Sequence, residues 1–291
     1  MNTSTNANPK PQIRNLRFDT HRAASDDRTA PSPPPVPRHW HGGRRSVTSF
    51  FDGLSIFFPE GERFFVKSVR AYERRVKDET LREAVRAFCG QEGIHGREHV
   101  RYNEMLAAQG YPARAMEERV TRLLARVMKK TPRRSQLGAT CALEHFTALM
   151  GEMILTSPKI LEGADPTMAA LWRWHAMEEN EHKAVAFDVF VAAGGTYAER
   201  VITMAVASVI FWAKVLEHQA RMMKVDGTLW SAREWFALAK FLFVEPGGLS
   251  GLLPRYLAYY RFGFHPNDRD SRAIIEAWER EYENGVAATA A

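Results

Sequence analysis

HAMEENEH, residues 175–182, sets His175, Glu179 and His182 at steps of four and three residues. At about 100° per residue in an α-helix the three fall within roughly 60° of one another, a single stripe over two turns. Trp172, Trp174, Ala176, Val185 and Ala186 surround that stripe, which points it toward an apolar interior. Charge aimed into a core is costly unless something pairs with it, and metal ions would be that partner.

Working outward, QEGIHGREH at residues 91–99 repeats the chelating pair as Glu92-x-x-His95. A carboxylate and an imidazole three residues apart on a helix can reach the same ion. Gly93 and Gly96 follow the two ligands directly, although each glycine costs a helix ~1 kcal/mol relative to alanine. Their expected role is to let a neighbouring helix or a substrate approach the metal-bearing face. Two further acids lie in apolar surroundings: Glu62 in FFPEGERFF (57–65), where Glu60 competes with it, and Glu144 in CALEHFTALM (141–150), where His145 and Glu152 compete.

The order along the chain is Glu62, Glu92-x-x-His95, Glu144, Glu179-x-x-His182, each group on a different expected helix. That is the donor arrangement of a four-helix di-metal carboxylate bundle. The expected fold is therefore all-α, a ferritin-like four-helix bundle with additional C-terminal helices. The expected cofactor is two divalent ions held by Glu62, Glu92, His95, Glu144, His175, Glu179 and His182. Oxygen and imidazole donors suit iron, with manganese or zinc open. His99 and Glu98 are the candidate catalytic bases, His99 being also a candidate support for the ligands. Glu98, Glu178 and Glu181 are otherwise expected to be solvated or in ion pairs.

The rest of the chain reads as helix and leader. Residues 1–45, with APSPPPVPR and no hydrophobic periodicity, read as a disordered or polyproline-like leader; 46–291 reads as the helical domain. Helices are expected over 58–76, 79–109, 115–129, 132–157, 165–194, 197–224, 229–243, 249–261 and 270–284, the last four forming a C-terminal extension over 197–284. Asp165-Pro166 is a capping pair, and Gly110 is a stop signal. No run alternates as a strand would.

The net charge is +6. Eight Lys/Arg against three Asp place +5 of it in residues 1–45, so the folded part is nearly neutral and a nucleic-acid partner is not expected. Two cysteines and no charged-then-apolar start point to a reducing cytoplasm without a signal peptide. The longest apolar run, VITMAVASVIFWA (201–213), is too short to span a bilayer and reads as a buried helix, the alternative being a contact with a membrane surface or an acyl ligand. The extension over 197–284 would suit a lid, a dimer surface or a lipid contact, and its run YLAYYRFGF (256–264), with Trp212, Trp230 and Trp235, an acyl or aromatic ligand.

FFPEGERFFVKSVR (57–70), QEGIHGREHVRYNEML (91–106), ALEHFTALMGE (142–152) and WRWHAMEENEHKAVAFDVF (172–190) resemble the bacterial predicted metal-dependent hydrolases, over 46–285 of the chain. The resemblance implies a ferritin-like fold and a metal-dependent reaction. The ligand pattern, with the additional His175, is similar to that of the arylamine N-oxygenases, which implies di-iron chemistry. Three functions follow. The first is a di-iron oxidase or oxygenase acting on a small apolar or aromatic substrate, with an electron donor, and with Phe64, Phe65, Trp172 and Phe187 lining its pocket. The second is a true two-metal hydrolase of an ester or amide, with Glu98 or His99 as base. The third is a non-enzymatic ferritin-type metal-binding protein.

Overall fold

The computed structural model describes residues 10–20 and 35–290. Among these the protein is all-α: α1 Arg45–Ser55, α2 Phe58–Arg70, α3 Glu79–Ala108, α4 Ala113–Lys130, α5 Arg133–Thr156, α6 Pro166–His182, α7 Val185–Ala192, α8 Tyr197–Val225, α9 Ala232–Phe243, α10 Gly248–Ala258 and α11 Arg272–Ala290. The helices that carry the expected ligands are α2, α3, α5 and α6, with α2 packed on α3 and α5 on α6.

Local chemistry sets the ends. Asp78 opens α3 by accepting from Thr80 N, and Asp165 opens α6 by accepting from Thr167 N and Met168 N, with Pro166 in the first turn. Thr196 and Glu199 form a reciprocal capping box on α8. Gly110, at φ +90°, ends the α3 turn in the left-handed conformation glycine alone adopts cheaply.

Four sequence expectations are corrected. The helix expected over 165–194 is broken after His182 into α6 and α7, and that over 58–76 stops at Arg70. The expected leader contacts the helices in both of its described stretches. Val36, Trp40 and His41 are buried, Trp40 Nε1 donates to buried Asp52 at 2.9 Å, and α1 begins at Arg45. Phe18 packs on Trp174. Residues 1–9 and 21–34 of that leader lie outside the described residues. Finally, α8 is not a buried helix. Ile202, Val206 and Val209 are more than half exposed, and at 29 residues α8 is long and apolar enough to cross a membrane.

The close seam between α5 and α6 depends on Gly151. A Cβ there would sit 2.7 Å from Ala176 O and 2.9 Å from Asn180 Nδ2, so the helix carrying Glu144 reaches the helix carrying Glu179 only because this side chain is missing.

Candidate metal centre

Four helices deliver seven side chains to one place: Glu62 from α2, Glu92 and His95 from α3, Glu144 from α5, and His175, Glu179 and His182 from α6. All are buried, none more than 2% exposed. Their donor atoms gather into three sets, each within 4.8 Å: Glu62, His95 and His175; Glu92, His95 and Glu179; Glu92, Glu144 and His182. Glu179 joins the two halves. Its Oε1 lies 2.9 Å from His175 Nε2 and 3.8 Å from His95 Nδ1, while its Oε2 lies 3.5 Å from His182 Nε2. His182 Nε2 is also 3.3 Å from Glu92 and 3.4 Å from Glu144. His175 Nε2 is 3.7 Å from Glu62.

These atoms are short of partners. Both carboxylate oxygens of Glu62, Glu92 and Glu144, together with His95 Nδ1 and His182 Nε2, are buried without a hydrogen bond. Buried polar atoms are normally satisfied, and unpaired buried carboxylates are expensive. Burial, and then the neighbouring carboxylates Glu179 and Glu144, push the Glu62 carboxyl well above its usual range; burial and Glu179 raise Glu144 to about 7. Burial disfavours a charged His182, yet Glu144 and Glu179 outweigh it and raise its pKa. A pair of cations resolves the whole set, so the residues fit the metal they are expected to hold.

The far nitrogen of each histidine is held, which fixes the nitrogen that faces the centre. His95 Nε2 bonds Glu178 at 2.9 Å, His182 Nδ1 bonds Gln91 Oε1 at 3.0 Å, and His175 Nδ1 lies 2.7 Å from His99 Nε2. His99 Nδ1 in turn meets Ser55 Oγ at 2.9 Å. Thr147 Oγ1 donates to Glu179 Oε2.

The competing acids separate cleanly. Glu60 pairs with Arg63, and Glu152 with Arg255 and Arg269. His145 Nε2 faces Arg255 O. Of the two candidate bases, His99 touches the centre through His175. Glu98 is engaged by Arg97 and accepts from Phe18 N at 3.0 Å. Of the expected pocket residues, Phe64 and Phe65 line a cavity beside Glu62, and Trp172 lines a small pocket with His175 and Glu179. Phe187 instead packs on Phe264 and His265. Of the two glycines, Gly96 behaves as expected: a Cβ there would lie 3.1 Å from Glu62 Oε2. Gly93 faces open space.

Two supports escaped the sequence reading. Gln91 shares the α3 face with His95, a spacing of four that offered a signal. Arg14 offered none, since it sits in the expected leader. Its guanidinium lies 3.0 Å from Glu181 and 3.6 Å from Glu178, and also pairs with Glu279. Gln91 Nε2 donates to Glu181 Oε2 and to Gln12 O. Glu178 and Glu181, expected to be solvated or ion-paired, are buried and ion-paired. Arg14 thus neutralises the two acids that steady His95 and His182. Arg14→Ala is expected to lower metal affinity ~10–100-fold, the usual cost of losing an outer support; chelator competition measures it, and unchanged affinity would show that the tether does not support the ligands.

A family model described as predicted metal-dependent hydrolase matches residues 26–270. No curated protein and no solved structure matches the chain.

Proposed function

The chain belongs to the predicted metal-dependent hydrolase family, and from that premise we propose that it is a two-cation enzyme of the ferritin-like kind whose centre, loaded with iron, activates dioxygen against an apolar substrate. The observation that carries this reading is the set of buried carboxylate and imidazole atoms with no hydrogen bond, divided into two halves by Glu179. Four carboxylates balance the charge of two divalent ions, and the hard-oxygen and imidazole donors suit iron. When bound, iron would supply the electrons and the open positions that dioxygen chemistry requires, replenished by an external electron donor.

The protein's own part is positional. Glu62, His95 and His175 would hold one ion; Glu92, Glu144 and His182 would hold the other. Glu179 offers one oxygen to each side. Thr147 fixes the Glu179 carboxylate, while Glu178, Gln91 and His99 fix the three imidazoles. The cavity beside Glu62 is walled by Phe57, Phe58, Phe64 and Phe65, which make the face next to that carboxylate apolar. The ligand pattern of the arylamine N-oxygenases supports the same chemistry.

The family description favours a second reading, hydrolysis, in which the two ions would make water a nucleophile at neutral pH. One set of measurements separates these from simple metal storage. Anaerobic loading with ferrous iron, metal analysis, then admission of air should give about two irons per chain, oxygen uptake and an optical band bleached by dithionite. Zinc-loaded protein that cleaves a p-nitrophenyl ester, with cleavage lost in Glu179→Ala, would replace the oxidative reading by the hydrolytic one. Metal uptake with neither activity would leave storage.

A further inference from the structure

Between α2, α4, α5 and α8 lies a cavity of about 370 Å³, within the ~300–1,000 Å³ range of small-molecule sites. Its wall is largely aliphatic and aromatic, and among the described residues two charged side chains reach it, Glu62 and Lys214. Glu62 is a ligand of the proposed centre, and both its oxygens lack a hydrogen bond. On α8 the lining recurs every four residues, at Ile202, Val206, Ile210 and Lys214. One helix face roughly 18 Å long therefore ends on a cation.

The two charges stand apart along the cavity. Phe57 on α2 packs on Phe211 and His218 of α8, with ring centroids 5.8 and 4.2 Å away. At the other end of α2, Ser68 bonds Thr140, two residues from Gly138, which abuts Thr203. The helices thus run in opposite directions. Glu62 lies on the Thr203 side of Phe57, and Lys214, between Phe211 and His218 in the sequence, is level with Phe57. The five residues from Phe57 to Glu62 put roughly 7 Å between the two levels.

The Lys214 end carries surplus positive charge. Lys214, Arg221 and Arg119 approach a single carboxylate, Glu217, at 2.6, 2.9 and 3.7 Å. Three cations sharing one anion leave room for a second anion. At the same time Ile202 and Val206, which line the cavity, are 62% and 53% exposed, so the cavity wall along α8 is continuous with the molecular surface.

We propose that this cavity binds a long-chain carboxylate, with its head group at Lys214 and its chain laid along α8 past Glu62. This deepens, and rests on, the reading of the Glu/His cluster as the reacting centre. It also assigns the site of attack: with the head group roughly 7 Å away along the helices, the atom beside Glu62 is a carbon of the chain and not the carboxyl. Charge at one end, an apolar wall and a ligand of the centre partway along are the features such a molecule requires.

The test is isothermal titration of dodecanoate, below its micellar concentration, into the full-length protein as purified. Saturable binding at one site is expected, with dodecyltrimethylammonium at least about tenfold weaker. Lys214→Glu, at a partly exposed position, should weaken dodecanoate about tenfold and leave dodecanol unchanged. Ala207→Trp, which fills the cavity from α8, should abolish binding of both with the helical circular dichroism intact. Should that variant misfold, Lys214→Glu decides alone. No saturable dodecanoate binding, or equal dodecanoate affinity in Lys214→Glu, would overturn the proposal. Metal content of the same samples keeps the two ideas apart: dodecanoate binding without metal would sink the cation centre and leave the cavity assignment standing, and metal without dodecanoate binding would do the reverse.

Discussion

Glu179→Ala is expected to empty both halves of the centre at once. Its two oxygens face different sides, Oε1 toward His175 and His95 and Oε2 toward His182, so removing it takes a donor from each side. Loss of an outer support typically costs ~10–100-fold in metal affinity, and loss of this shared donor should exceed that on both sides. Metal analysis after dialysis against a chelator measures it. Glu60→Ala, which removes a carboxylate paired with Arg63 outside the centre, should retain full metal. The variant should still fold, because deleting one buried carboxylate relieves repulsion on Glu62 and Glu144. Wild-type metal content in Glu179→Ala would refute the shared-donor assignment.

The second large effect is the pH dependence of metal stabilisation. In the metal-free protein, burial first and then neighbouring acids raise the carboxyls of Glu62, Glu92 and Glu144, the last to about 7. A group whose folded pKa is raised contributes stability that is complete below its unfolded pKa and is lost as pH rises through the folded pKa. For Glu144 that window runs from its ordinary 4.5 to about 7, a loss on the order of 3 kcal/mol. His182, also raised, acts in the same sense at higher pH. Bound cations require the ionised carboxylates, so metal affinity moves the other way and rises with pH.

Buried histidines outside the centre complicate either curve alone. His41, His145 and His218 are lowered by burial to about 4, so their stability is present above about 6.5 and is lost as pH falls toward 4. They are common to both forms and cancel in the difference. The gap in melting temperature between metal-loaded and chelator-treated protein is therefore expected to widen steadily from pH 5.5 to 8. A gap that stays level or narrows would show that these carboxylates do not carry the metal.

The legibility of the site follows from where its information lies. Glu92-x-x-His95 and His175-x3-Glu179-x2-His182 could be read because helical spacing is a local property, and each pair lies within two turns. Glu62 and Glu144 were readable only as single acids in apolar surroundings. The sequence preferred them over Glu60 and Glu152 without a physical reason to separate them, and the structure supplies it by pairing those two with arginines. The break after His182 and the early end of α2 passed unseen because no Pro or Gly punctuates either. α1 was hidden by its closeness to a proline-rich stretch.

Arg14 marks the limit most clearly. Composition places it in a polar, proline-bearing tail, and nothing local distinguishes it from Arg17. Only the folded chain brings it 3.0 Å from Glu181. Gly93 and Gly96 make the same point within one turn: the sequence treats them alike, yet Gly96 faces Glu62 and Gly93 faces open space.

By itself the sequence determined that this protein is helical and that two glutamates with three histidines lie at metal-binding spacing, because helix period and donor chemistry are written in neighbouring residues. Only the tertiary structure decided which oxygens face which imidazoles, that Glu179 serves both halves, and that an apolar cavity runs from Glu62 to Lys214. Those properties arise from contacts between residues tens to more than a hundred positions apart, and contact at that range is a result of packing that no local pattern encodes.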